Sequence, residues 1–176
     1  MRLWTAERRD SLFDTFEHDA FHLELRDAYH VDSEDESYQR WKRGEPSLRS
    51  DYDRPWLRRI KMAVSTGRTV RRVRVISEPL SEYIRYEYDG TPQNLAAGED
   101  IRWLPRRLIP ADLVFPLDGR DWWLFDEQLI AIGNFDEHGM PEGSEISTDP
   151  ALLRKCASTR DRLWAIAIPH HEYRPS

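Results

Sequence analysis

Arg71-Arg72-Val73-Arg74-Val75-Ile76 is the stretch on which the fold turns. Val73 and Val75 alternate with Arg72 and Arg74, and side chains two apart along a strand share a face. The segment therefore predicts a strand with one dry side and one charged side. The same period of two recurs upstream, where Phe21, Leu23 and Leu25 alternate with His22, Glu24 and Arg26. Ile101 to Leu104, closed by Pro105, reads as a third strand. Trp122 to Phe125 and Leu129 to Phe135 read as a hairpin turning at Asp126-Glu127-Gln128. Strands covered by helices on both faces are near-continuous apolar runs. Alternation with Arg, Glu and His instead predicts a sheet face that is open to water or lined by a polar pocket. The expected fold is α+β, with a mixed or antiparallel sheet of about five strands and helices mainly on one face.

The helices fit around these strands. A first helix is expected from about Arg8 to Glu17, with Leu12, Phe13 and Phe16 inward. Ser33 and Glu36 read as a capping box for a helix carrying Tyr38 and Trp41 that stops at Gly44. Pro55 opens a helix to about Gly67 with Trp56, Leu57, Ile60, Ala63 and Val64 as its stripe. Ser77-Glu78-Pro79 starts another, interrupted at Gly90-Thr91-Pro92 before a short turn ahead of Gly98. Thr148-Asp149-Pro150 opens the last, through about Ile168.

The chain of 176 residues fits one domain, 1–176, and its 39% apolar and 11% aromatic content supports a packed core rather than disorder. Its one cysteine, Cys156, excludes an internal disulfide and reads as a buried apolar residue. No run approaches the ~18 apolar residues of a membrane helix, and the N-terminus lacks a signal-peptide core, so a cytoplasmic location and no membrane partner are expected. None of the histidines falls in a metal-binding spacing, and there is no nucleophile elbow, phosphate loop or dinucleotide fingerprint. No catalytic residue, metal ligand or cofactor is assigned.

Residues 54–77 hold eight cations and no Asp or Glu, in a chain of net charge −6. Such a segment can be an anion- or nucleic-acid-binding surface, with Arg58, Arg72 and Arg74 as candidates. It can equally pair internally, because residues 27–53 carry eight acids against four bases. The acidic balance favours pairing, and nucleic acid is not the expected partner.

A second constellation runs Ser77-Glu78-Pro79-Leu80-Ser81, Tyr83, Arg85, Glu87, Asn94, then Ala97-Gly98-Glu99, Ile101-Arg102, Leu104-Pro105-Arg106 and Trp123-Leu124-Phe125-Asp126. With looser similarity back to Phe16, it resembles an uncharacterised actinobacterial domain family with the pattern SEPLSxYxRxE…N…AGExIRxLPR…WLFD. The resemblance implies no particular activity. Family members lie near genes for helix-turn-helix regulators, which implies a regulatory role with such a protein as partner. The strand-helix-strand order here is also similar to phospholipase-D-like domains, an α/β alternative, but the paired His-x-Lys motifs are missing and that chemistry does not transfer.

The candidate ligand-binding residues are Glu78, Tyr83, Arg85, Glu87, Asn94, Glu99, Arg102, Arg106 and Asp126. The segments 77–87 and 99–106 are expected to meet in one charged cluster. The reading is a non-catalytic binding or regulatory module for a protein partner or a small anionic ligand. A hydrolase or anionic-ligand-binding enzyme using the 78–106 cluster is the alternative, and nucleic-acid binding through Arg54–Arg74 the second. Glu–Arg pairs that only fix the packing are the structural counterpart of each.

Overall fold

The computed structural model describes residues 3–175, apart from the side chain of Ser33, on which the expected capping box depends. In chain order the elements are α1 (Ala6–Asp10), α2 (Leu12–Thr15), β1 (Asp19–Glu24), α3 (Asp35–Lys42), α4 (Pro55–Ser65), β2 (Thr69–Ile76), α5 (Glu82–Ala97), β3 (Asp100–Pro105), β4 (Trp122–Phe125), β5 (Leu129–Phe135), β6 (Pro141–Ser147), α6 (Pro150–Ile166) and β7 (Ile168–Pro169). The strands form one mixed seven-stranded sheet in the order β6-β5-β4-β1-β2-β3-β7. β1, β2 and β3 run parallel, and the flanking strands are antiparallel to their neighbours. No helix among the described residues is long and apolar enough to cross a membrane.

The mixed sheet is the one expected, but it has seven strands rather than about five. β6 escapes sequence reading because Pro-Glu-Gly-Ser-Glu-Ile-Ser has no apolar alternation, and β7 is only two residues long.

Register decides which side each residue faces. His22 pairs with Arg72 and Glu24 with Arg74 across β1 and β2, while Val73 pairs with Arg102 across β2 and β3. Phe21, Leu23, Val73, Val75, Trp122 and Leu124 therefore pack on α6 through Cys156 and Leu163. On the opposite side Phe13, Phe16, Leu57, Ile60, Trp123 and Phe125 join α2 and α4 to the sheet. A third cluster seats α5 through Ile84 against Ile101, Trp103 and Tyr173. At β1 and β2 one face is covered by α6, and the charged sides line a polar pocket.

α5 differs most from expectation, because it runs unbroken through Gly90-Thr91-Pro92. Proline costs this helix one backbone hydrogen bond. Burial on both sides of it, at Tyr83 and Ile84 before and at Gln93, Asn94 and Ala97 after, outweighs that loss. Ser81, not Ser77, caps its start by accepting from the Ile84 backbone N–H at 3.1 Å. It ends at Gly98 with φ +100°, where an added Cβ would lie 2.8 Å from Val64 Cγ1. Glycine is needed there both for the left-handed turn and for the contact with α4.

Candidate functional site

On the face opposite α6, a cavity of about 410 Å³ lies over β1 and β2. Its floor includes His22, Glu24, Arg72, Arg74 and Trp123. α3, α5 and the segment ahead of α4 contribute Ser37, Trp41, Arg54, Tyr83, Tyr86 and Glu87 to its walls.

The floor is a network of buried charges. Arg72 donates from Nε to Glu99 Oε1 at 2.7 Å and from Nη1 to Glu24 Oε1 at 2.6 Å. Arg74 lies between Glu24, with Nη1 at 3.0 Å from Oε2, and Glu87, which its Nη2 meets. Asn94 Nδ2 donates to Glu99 Oε2 at 2.6 Å. Arg72, Arg74, Glu24 and Glu99 are each at most 8% exposed, so these contacts act with little solvent screening.

His22 stacks on Trp123, ring centroids 4.1 Å apart and planes within 12°. Burial, reinforced by Arg72, Arg9 and Arg74, holds its pKa well below 6.5, so the imidazole is neutral at pH 7. Its 3.4 Å approach to Glu24 is then no ion pair. Tyr83 places its hydroxyl 2.8 Å from Glu34 Oε2 and 3.2 Å from Glu87 Oε1. Burial first, and Glu87 second, push the Glu34 carboxyl up to about 7. Tyr29 donates to Asp121 Oδ2 at 2.5 Å, and the Leu25 N–H donates to Asp121 Oδ1 at 2.8 Å. Burial outweighs these bonds and raises Asp121 to about 6. His22 Nδ1, Glu24 Oε2 and Arg74 Nε are buried without a hydrogen-bond partner among the described residues.

Of the residues singled out in the sequence, Tyr83, Glu87, Asn94, Arg72 and Arg74 line this cavity, and Glu99 braces it from beneath. The rest lie elsewhere. Glu78 accepts from Arg107 Nε at 2.8 Å and from Tyr173 Oη at 3.0 Å. Arg106 bonds Ser77 Oγ at 3.2 Å and the Leu25 carbonyl. The 77–87 and 99–106 segments thus meet, but in two separate groups. Arg102, in register with Val73, faces the opposite side, 3.9 Å from the ring centre of Trp164. Arg85 is exposed and bonded to the Leu80 carbonyl, and Arg58 pairs with Asp53 at 3.1 Å. Asp126 accepts the backbone N–H groups of Glu17, His18 and Asp19 at 2.7 to 2.9 Å.

His22, Glu24, Glu34, Tyr29, Tyr86 and Asp121 were missed. For His22 and Glu24 a signal existed, since they occupy the wet positions of β1 just as Arg72 and Arg74 do in β2.

The basic segment is bonded in place, five of its eight cations to carboxylates. Arg59 approaches Asp10 and Asp14, Arg71 grips Asp19 with two bonds, and Arg68 donates to the Phe13 and Phe16 carbonyls. Arg54 bonds Gln93 and the Asp51 carbonyl, and Lys61 the Tyr52 carbonyl. With Arg58, Arg72 and Arg74 paired as above, all eight cations have partners. Among the described residues, one group could hold a metal ion, His30, Asp32 and Asp35, and all three are exposed.

In chain course the protein is similar to NucT from Helicobacter pylori, at 11% identity and a TM-score of 0.49, covering 91% of this chain and 87% of that one. No curated protein matches it. The membership implied by the motifs between Ser77 and Asp126 holds: the chain belongs to the family described as Domain of unknown function (DUF6879), which matches residues 7–175.

Proposed function

We propose that the domain is a non-catalytic binding module that takes a small polar ligand into the cavity over β1 and β2. The observation that carries this reading is the charged floor left beneath open volume. Removing ions from water costs several kcal/mol each, and well-packed apolar residues of similar size are often at least as stabilising. A network kept only to fix packing has no need of about 410 Å³ above it, a volume in the range of small-molecule sites. The regulatory half of the proposal rests on the family resemblance. Occupancy of the cavity would be passed to a protein partner, with a helix-turn-helix regulator as the partner proposed.

The test is an NMR screen with polar fragments of either charge, followed through the indole N–H signals of Trp41, Trp56 and Trp123, all of which line the cavity. The expected result is saturable shifts of these signals by some fragments, with every fragment recovered unchanged. Chemical conversion of a bound fragment would move the assignment to the hydrolase alternative. Indole signals that no fragment moves would overturn the binding reading.

A further inference from the structure

We infer that the ligand of this cavity is an organic cation, an ammonium or guanidinium group on a short hydrocarbon, seated beside Glu34 and Glu87 against the neighbouring aromatic rings. The inference rests on the binding-module reading and adds the ligand's charge to it.

The first support is the charge balance. The lining residues include eight carboxylates against five guanidinium groups. Arg72 and Arg74 are taken by Glu24, Glu87 and Glu99, Arg9 by Asp10 and Arg40 by Asp51. Arg54 is the remaining cation, bonded to Gln93 and a backbone carbonyl. Glu34, Asp89 and Asp121 have no guanidinium within ion-pair distance among the described residues. An anion entering here meets a field of its own sign, whereas a cation is drawn in.

The second support is a shortage of donors. A phenol carries one proton, yet the Tyr83 hydroxyl faces carboxylate oxygens of both Glu34 and Glu87. An ammonium brings three donors and a guanidinium five, which meets this need.

The third support is the wall. Tyr29 and Tyr83 have ring centres 5.9 Å apart, Tyr83 and Tyr86 6.0 Å, and Tyr86 and Trp41 5.9 Å, so four rings follow one another beside these carboxylates. Aromatic faces attract cations and cover the hydrocarbon that carries them. Glu34, raised to about 7, is faced by Glu87, Tyr83 and Tyr86 from α5, by Arg74 from β2 and by Arg54 ahead of α4. A cation bound there displaces a proton near neutral pH.

The same chemistry could come from a free amine or guanidine, or from a Lys or Arg side chain of a partner. The probes are therefore butylamine and butylguanidine, their isosteres butyramide and butyrate, and the capped peptide Gly-Arg-Gly, titrated by calorimetry in two buffers of different ionisation enthalpy. The two cations should bind with proton release, and the isosteres should not. Glu34→Gln should weaken cation binding about tenfold. It should melt no lower than the wild type, because it removes a carboxylate facing Glu87. A peptide that binds more tightly than butylguanidine assigns the site to a partner's side chain, and equal or weaker peptide binding assigns it to a free small molecule. Butyrate or butyramide binding at least as well as butylamine would overturn the cation while leaving the binding module standing. Silence from both cations would overturn the inference whatever other fragments do.

Discussion

Arg72 Nε donates to Glu99 Oε1 at 2.7 Å, tying the middle of β2 to the residue that follows the α5 C-cap. Glu99 is 2% exposed, so its removal leaves Arg72 Nε without an acceptor where water cannot replace it, and leaves Arg72 and Arg74 to share Glu24. Breaking a buried pair from one side costs about 3–5 kcal/mol. Glu99→Ala should lower the melting temperature by roughly 10 °C, and Glu99→Gln, which keeps an acceptor, by less. Thermal unfolding followed by circular dichroism checks the order, and equal melting points for the two variants would show that charge pairing is unimportant there.

Arg102 offers the contrasting case. It lies over Trp164 and donates to the Trp164 carbonyl at 3.0 Å, on the face away from the cavity. Arg102→Ala should cost about 1–2 kcal/mol, the size of a cation–π contact with one hydrogen bond. Fragment binding at the cavity should not change. A variant that keeps its stability but loses binding would place Arg102 in the site after all.

Asp126 sits in the β4–β5 turn with φ +51° and accepts three backbone N–H groups from the start of β1. Burial alone would raise its pKa, but the bonds from Glu17, Asp19 and His18 hold it below the usual 3.8. A carboxylate depressed on folding contributes stability that is present above its unfolded pKa and lost as pH falls through the folded one. Asp126→Asn should therefore be less stable than the wild type at neutral pH, and the gap should close in acid. Urea midpoints across that range are the measurement, and a gap that widened in acid would contradict the cap.

How far this could be read beforehand differs between elements. The β4–β5 hairpin and the dry and wet sides of β2 follow from local pattern, because a period of two needs no knowledge of neighbours. The cavity does not, since His22 and Glu24 meet Arg72 and Arg74 only through the parallel pairing of β1 with β2, about 50 residues apart. Arg102 shows the reverse difficulty. It belongs to the same motif as Glu99, yet its register against Val73 turns it to the opposite face. Glu34 carries no periodic signal, being in a short turn of 3₁₀ helix before α3.

The raised carboxylates make the pH dependence testable. Glu34 stands at about 7 instead of 4.5, with Glu87, Tyr83, Tyr86, Arg74 and Arg54 around it, and Asp121 at about 6 instead of 3.8. A carboxyl raised on folding contributes stability that is whole below its unfolded pKa and lost as pH rises through the folded value. Between about pH 5 and 8 Glu34→Gln should thus gain stability relative to the ligand-free wild type. Melting temperatures of the two proteins that stay parallel over this range would refute the assignment.

Cys156, fully enclosed between α6 and the sheet, has its thiol pushed up to about 12 by burial. A group so shielded and so poorly ionised is silent to alkylating reagents until the helix lifts away. Its rate of labelling therefore counts opening events, and the chain carries a clock for them without any engineered probe. If that clock slows when butylamine is added to the far side of the sheet, occupancy of the cavity is felt through the full thickness of the domain. An unchanged rate would mean that α6 opens on its own, independently of the face that holds the charges.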